Sequence, residues 1–387
     1  MQIRQFLRQN RIALAIATFF LVMQLTNWPP LLFWGWWGGG NFLDSWQVLT
    51  SADCYRSIGL QVYELDNKCM IYAYGRPLLL GLSGLHIGAS QTSLFGVIFL
   101  IVIAITIATI IKNLDINDNQ KNVISALVAT SPPILLLIDR GNIDSLIVLL
   151  VLSAAWSHTK GKSTLAIILL FLSAIFKYYT APLLLCMIFA SKRKRSKTTA
   201  AILTVVASLS IFRDLQITEF TFATGNPHLT FGLGHEFLYL LDFNAFAWLV
   251  NFTSLAGALL VLFFYGMSFG WLRRRAIELN TSGEKTFTRM LYVFSTIVIM
   301  ACYLTGANAD YRLIFLAISG ITLLSIFRIS DSFHVFFLHV VCGILWLTFP
   351  SGDLEIFGDV FISLYAGFTF ALVTKLTLQR NLLALLK

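Results

Sequence analysis

Apolar runs close to the length of a bilayer crossing recur from one end of this 387-residue chain to the other, and charge is pushed into the gaps between them. A hydrocarbon core ~30 Å thick takes about 20 apolar residues as helix, and only helices or closed barrels satisfy their backbone groups there. The chain is 57% hydrophobic and 12% charged, against about 25% charged in a soluble domain. That balance excludes a soluble enzyme. It also excludes a nucleic-acid binder, since no segment is long enough to form a folded basic face, and the net charge of +9 becomes a matter of topology. The reading is all-α and polytopic, one integral membrane unit over 1–387.

Twelve spans or half-spans are expected, near 12–34, 91–111, 122–138, 143–157, 163–176, 180–190, 198–212, 244–270, 290–305, 313–327, 335–350 and 360–376. The basic N-terminus leads into an apolar run that ends in Trp34, Trp36 and Trp37 with no small-residue cleavage site. It reads as an uncleaved first span with an aromatic belt. With that end cytoplasmic, Arg56, Lys68, Arg76, Arg140, Lys177, Arg213 and Arg312 fall outside and every other Lys and Arg inside. Most carboxylates fall outside, as the positive-inside rule requires. Reading 163–190 as one helix would reverse everything downstream and break the rule. Two short helices are therefore expected, turning at Lys177-Tyr178-Tyr179-Thr180-Ala181-Pro182. Neither is full length at ~1.5 Å per residue, so the turn is recessed and Lys177 buried.

Two outer segments exceed a simple connection, 35–90 and the aromatic-rich 213–243. The first carries Asp44-Ser45-Trp46, then Asp53-Cys54-Tyr55-Arg56, then Gly59, Val62, Tyr63 and Glu64, and later Cys69 and Tyr74-Gly75-Arg76-Pro77. A carboxylate just past the first span can serve as general base to a hydroxyl within hydrogen-bond reach. A solvated acid or helix cap is the alternative for Asp44, and more so for Asp53 and Glu64.

The Asp44-Ser45-Trp46 stretch, the Gly59 to Val62-Tyr63 spacing, the Arg140-Gly141-Asn142-Ile143-Asp144 turn and the Lys177 to Pro182 turn resemble glycosyltransferase family 87. These are polyprenyl-phosphate-sugar-dependent transferases of the GT-C membrane class. The resemblance extends to about residue 195, and beyond it only Asp310-Tyr311-Arg312-Leu313 is similar. It implies an inverting transfer from a lipid monophosphate sugar, such as a mannose or arabinose donor, to a glycan or glycolipid on the outer face. Asp44 matches the family's first-loop base. The departing phosphate needs cations, and Lys177 and Arg312 come first for that role, with Arg76 and Arg140 next. Asp53, Tyr63, Glu64, Asn142, Asp144, Asp310 and Tyr311 are candidates for sugar or acceptor contacts. Plainer roles stand beside these. Arg140 suits an ion pair with Asp139 or Asp144, Arg312 one with Asp310, and Asn142 a helix cap. Lys177 resists such a reading, because an ionisable group below the membrane surface is functional by default.

Cys186, Cys302 and Cys342 lie within spans as apolar filler, whereas Cys54 and Cys69 share the outer loop and can pair in an oxidising compartment. No Cys/His spacing suits a metal, and a monophosphate donor requires none, so no cofactor is expected. The expected partners are the lipid-linked donor, the acceptor and membrane lipid, in a membrane such as the bacterial cytoplasmic membrane. A lipid-linked-sugar flippase is the competing class, but it calls for internal repeats and ionisable midplane residues, which are nearly absent. A polysaccharide polymerase or ligase with a diphosphate-linked donor shares the outer-face geometry.

Overall fold

The computed structural model describes residues 42–59, 75–114, 116–191, 193–217, 286–304, 310–326 and 360–369, with isolated positions elsewhere. Among them the chain is helical throughout, without strands. The expected spans at 12–34, 244–270 and 335–350 fall largely or wholly outside the described residues, as does the 218–243 part of the second outer segment.

The segment expected as a first outer loop carries helices at its described residues. It contains α1 (Leu43–Ile58) and α2 (Arg76–Gly84). A 3-10 turn at Ala89–Gln91 then leads into α3 (Thr92–Lys112). Asn117 starts α4 (Asp118–Ala129) with a reciprocal cap, its Oδ1 accepting from the Gln120 amide at 2.9 Å, which satisfies a helix-end donor. The single span expected over 122–138 is broken. Pro132 and Pro133 lack backbone donors and push the preceding residue out of helical geometry. A new helix, α5 (Pro132–Asp139), starts there at 57° to α4.

The helices α6 (Asp144–Thr159) and α7 (Ser163–Phe176) form an antiparallel hairpin, turning at Lys160-Gly161-Lys162. Helix α7 stops where the sequence reading puts its break. Lys177 is extended, Tyr178–Thr180 is a 3-10 turn, and α8 (Pro182–Ala190) follows. Ser173 Oγ donates to Thr180 Oγ1 at 2.7 Å, and Thr180 Oγ1 donates to the Lys177 carbonyl at 3.1 Å. Those bonds brace the break internally, satisfying polar groups where the helix is interrupted. Then come α9 (Lys194–Ile217), α10 (Thr286–Leu304), a 3-10 turn at Asp310–Leu313, α11 (Ile314–Ile326) and α12 (Val360–Thr369).

Ala89–Lys112 and Phe287–Leu304 are long and apolar enough to cross a membrane, and the bent α4–α5 pair makes a third candidate. The remaining apolar helices are shorter, α6 at 16 residues and α7 at 14, or about 24 and 21 Å by helical rise. Leu94, Val97, Ile98, Ile101 and Ile105 form an exposed apolar stripe on α3, and Ile202, Val205, Val206, Leu209 and Phe212 form another on α9. Contiguous apolar surface of that kind marks contact with lipid or protein. On the buried side, hydroxyls tie the last helices together. Tyr303 OH donates to Ser363 Oγ at 2.8 Å, and Thr296 Oγ1 meets Ser319 Oγ at 2.9 Å. Ser319 also bonds Tyr365. Where lipid removes the hydrophobic drive between helices, such bonds contribute to association.

The hairpin topology separates the charges. Lys160 and Lys162 sit at one end of α6–α7, with Asp144 and Lys177 at the other. The basic end also receives Arg289, near the start of α10, whose neighbour Phe287 packs edge-on against Trp156 with ring centroids 5.3 Å apart. Lys121 joins the end of α3 there, donating to the Lys112 carbonyl at 3.4 Å.

Candidate active site at the acidic end of the bundle

Four interruptions in the chain meet at that acidic end: the start of α1, the α5–α6 turn, the α7–α8 break and the 3-10 turn before α11. The first two are joined by backbone. The opening amides of α1 have no partner within their own helix, and the α5–α6 turn supplies them. Phe42 N–H donates to the Asp139 carbonyl at 2.7 Å and Asp44 N–H to the Arg140 carbonyl at 2.9 Å. Ser45 Oγ bonds the Gly141 carbonyl. Gly141 is left-handed at φ 55°, and a Cβ there would meet Ser45 Oγ at 2.8 Å and the Phe42 ring at 2.9 Å, so glycine is required.

This docking aims the Asp44 side chain, 4% exposed, at the turn. Arg140 Nε donates to Asp44 Oδ1 at 2.7 Å, and Asn142 Nδ2 donates to Oδ2. Arg140 thus pairs with Asp44, a partner the sequence reading did not name. Asn142 faces both ways, since its Oδ1 accepts from the Asp144 amide at 2.8 Å. It serves as a helix-end acceptor and as a donor to Asp44 at once.

Asp144 is fully buried at the first turn of α6. Lys177 Nζ lies 3.4 Å from its Oδ1, and Arg312 Nε 3.7 Å from its Oδ2. Both separations exceed the 2.7–2.9 Å of a short charge-assisted bond, so two cations share one carboxylate loosely. Lys177 is 5% exposed. Arg312 also stands over the Tyr179 ring, 4.9 Å from its centroid, a cation–π contact that holds the guanidinium plane. Tyr179 in turn packs edge-on against Phe315, at 6.1 Å. A buried lysine and a part-buried arginine thus face the same carboxylate, and cations set in a water-poor site of this kind suit an anion.

Several sequence candidates lie elsewhere. Asp53 is on α1 nine residues after Asp44, about 14 Å along the axis. It pairs with Arg56 and accepts from the Ala89 amide at 2.7 Å, so it pins the start of α3 and does not join the cluster. Arg76 opens α2, and the Gly75 amide before it donates to the Phe176 carbonyl at 3.1 Å. That bond anchors the start of α2 beside Lys177. Tyr63, Glu64 and Cys69 lie outside the described residues. Asp310 and Tyr311 are in the 3-10 turn that carries Arg312, and their side chains lie outside the description. Arg312 finds a partner in Asp144. Cys54 is disulfide-bonded, while Cys186 and Cys302 are free and buried; the partner of Cys54 lies outside the described residues, where Cys69 is the expected one. Sequence reasoning missed Tyr179 and Ser45, although both stand within the motifs that carried the resemblance.

A cavity of about 300 Å³ adjoins Asp44 between α1, α2, α3 and the ends of α6 and α7. Its described lining is apolar apart from Asp44 and Ser45. The site therefore joins a carboxylate facing an apolar hollow, an asparagine bridge, and a two-cation cluster. Compared with family models, curated proteins and solved structures, the chain matches none, and the glycosyltransferase resemblance rests on its motifs alone.

Proposed function

We propose that this chain is an inverting glycosyltransferase of GT-C type, moving a sugar from a polyprenyl-phosphate donor to an acceptor hydroxyl at the outer face of a membrane. In this reading about twelve spans or half-spans carry the chain across, with the basic end cytoplasmic and the acidic end outside. The observation that supports it best is the pairing of Asp44 with the Asp144–Lys177–Arg312 cluster through a single residue, Asn142. Glycosyl transfer from a lipid phosphate needs those two kinds of group close together.

The steps assign one task to each. The acceptor oxygen attacks the anomeric carbon while its proton passes to a carboxylate oxygen of Asp44, which has lone pairs beyond the two bonded to Arg140 and Asn142. The bond from the anomeric carbon to the phosphate oxygen breaks, and its electron pair leaves on the phosphate. Lys177 and Arg312 stabilise that charge in a water-poor setting, where fixed cations act most strongly. Attack opposite the leaving group inverts the anomeric centre, so base and phosphate site must flank the sugar. Tyr179 keeps Arg312 in place, and Asn142 fixes the carboxylate of Asp44. A disulfide at Cys54 suits an oxidising outer compartment.

A diphosphate-linked donor is the second reading, favoured by the proximity of Arg140, Lys177 and Arg312. One experiment separates the two. Purified protein is incubated with a panel of polyprenyl-monophosphate and polyprenyl-diphosphate sugars, and the released lipid is identified. Lipid monophosphate from wild type, and none from Asp44→Asn, is the expected result. Lipid diphosphate moves the assignment to the polymerase or ligase class, and equal release by Asp44→Asn removes Asp44 as base.

A further inference from the structure

The cavity beside Asp44 bears on a question the motifs leave open, the nature of the acceptor. Among its described lining residues only Asp44 and Ser45 are polar; the rest are apolar, among them Leu78, Leu82, Phe99 and Leu146. A glycan is held by hydrogen-bonding side chains, and the described part of this wall provides almost none. At about 300 Å³ the space lies at the lower end of the ~300–1,000 Å³ of ligand cavities. One of its walls is Leu85, which is 73% exposed, so the hollow reaches the surface there. The mouth lies close to the first turns of α3, whose exposed apolar stripe starts at Leu94.

We propose that this cavity holds the hydrocarbon part of the acceptor, so that the molecule presenting its hydroxyl to Asp44 is an amphiphile and not a soluble glycan. This rests on the reading of Asp44 as the acceptor's base. Position decides between the acceptor and the donor as the source of that hydrocarbon. The donor's chain is bonded to its phosphate and must begin at the cations, yet neither Lys177 nor Arg312 lines the cavity, whereas Asp44 does. An acyl or alkyl chain entering past Leu85 would hide apolar surface from water, and its head group would arrive at the carboxylate.

Gly81 makes the test clean. It lines the cavity, and a Cβ built on it meets nothing within 4 Å, so a larger side chain enters the hollow without displacing backbone. Replacing a helical glycine also favours the helix. The probe is dodecyl β-D-glucoside with a diazirine at mid-chain, photolysed on the full-length protein in nanodiscs, with adducts mapped by mass spectrometry. Adducts on the exposed stripe of α9 report non-specific partition and serve as the internal reference. Wild type should carry adducts on α2, α3 or α6 cavity residues, reduced at least tenfold relative to the reference in Gly81→Leu and little changed in Gly81→Ala. Excess polyprenyl monophosphate should not displace them. Gly81→Ala is the folding control, and a matching melting temperature validates Gly81→Leu.

Absence of cavity adducts, or their persistence in Gly81→Leu, overturns the proposal. Displacement by polyprenyl monophosphate also overturns it, and gives the cavity to the donor chain. If wild type releases no lipid phosphate from any donor, the transfer reading fails and the acceptor assignment with it. Release without cavity adducts sinks the cavity proposal alone.

Discussion

Replacing Asp144 by Asn removes the buried carboxylate that Lys177 and Arg312 share. At an effective dielectric of about 20, unit charges at 3.4 Å and 3.7 Å attract by about 5 and 4.5 kcal/mol. These gross terms overstate the loss, because water and side chains relax around the exposed charge. Removing one partner of a buried ion pair costs about 3–5 kcal/mol as measured. With an unfolding entropy of ~2.1 cal/mol/K per residue over the full chain, a loss of about 4 kcal/mol lowers the midpoint by about 5 °C. The assay is thermal unfolding of purified Asp144→Asn in nanodiscs, followed by tryptophan fluorescence. A second change, Lys177→Met in the Asp144→Asn background, removes one of the two cations that lost this counter-ion and should recover part of the loss. A single variant melting within a degree of wild type, or a double variant less stable than the single, would refute the reasoning.

Other outcomes follow from the same geometry. Gly141→Ala forces a Cβ into Ser45 Oγ and Phe42 at a left-handed position; it should cost about 1–3 kcal/mol and depress turnover, read by melting and by lipid-phosphate release. Asp44→Asn should lower turnover by about 10²–10⁴, the usual worth of a general base, with donor affinity kept; loss of affinity alone would make the residue structural. A thiol-reactive mass tag should reach Cys54 only after reduction, and labelling of unreduced protein would contradict its disulfide. Tyr303→Phe removes the bond to Ser363 across the last helices and should cost about 0.6–1.7 kcal/mol, measured by unfolding, without altering donor affinity.

Charge and hydropathy made much of this arrangement readable, and the exceptions have physical causes. The α7–α8 break could be read because a single helix over 163–190 would have placed most downstream basic residues on the wrong side. The bend at Ser131 was written in Pro132-Pro133, but the surrounding apolar run masked it. Helix α1 was taken as loop because its polar and apolar residues alternate without a stripe, its burial being set by the α5–α6 turn. Asp53 was grouped with Asp44 on residue type. Nine positions of helical rise separate the two, and the Ala89 amide and Arg56 account for Asp53. Asp144 reads in the sequence as a sugar or acceptor contact or a partner of Arg140, and its role as shared counter-ion depends on Arg312, more than 160 residues away. Partners that distant leave no local signature. Tyr179 was hidden for the same reason, since its ring matters only once Arg312 is beside it.

The central claim is that Lys177 and Arg312 form a phosphate site beside the base Asp44. Calorimetric titration of purified protein with polyprenyl monophosphate tests it directly. Charge-assisted bonds contribute about 1.5–3 kcal/mol each, so Lys177→Met and Arg312→Gln should each weaken binding by about 10- to 150-fold, with Asp44→Asn close to wild type. Undiminished binding by both cation variants would contradict the account.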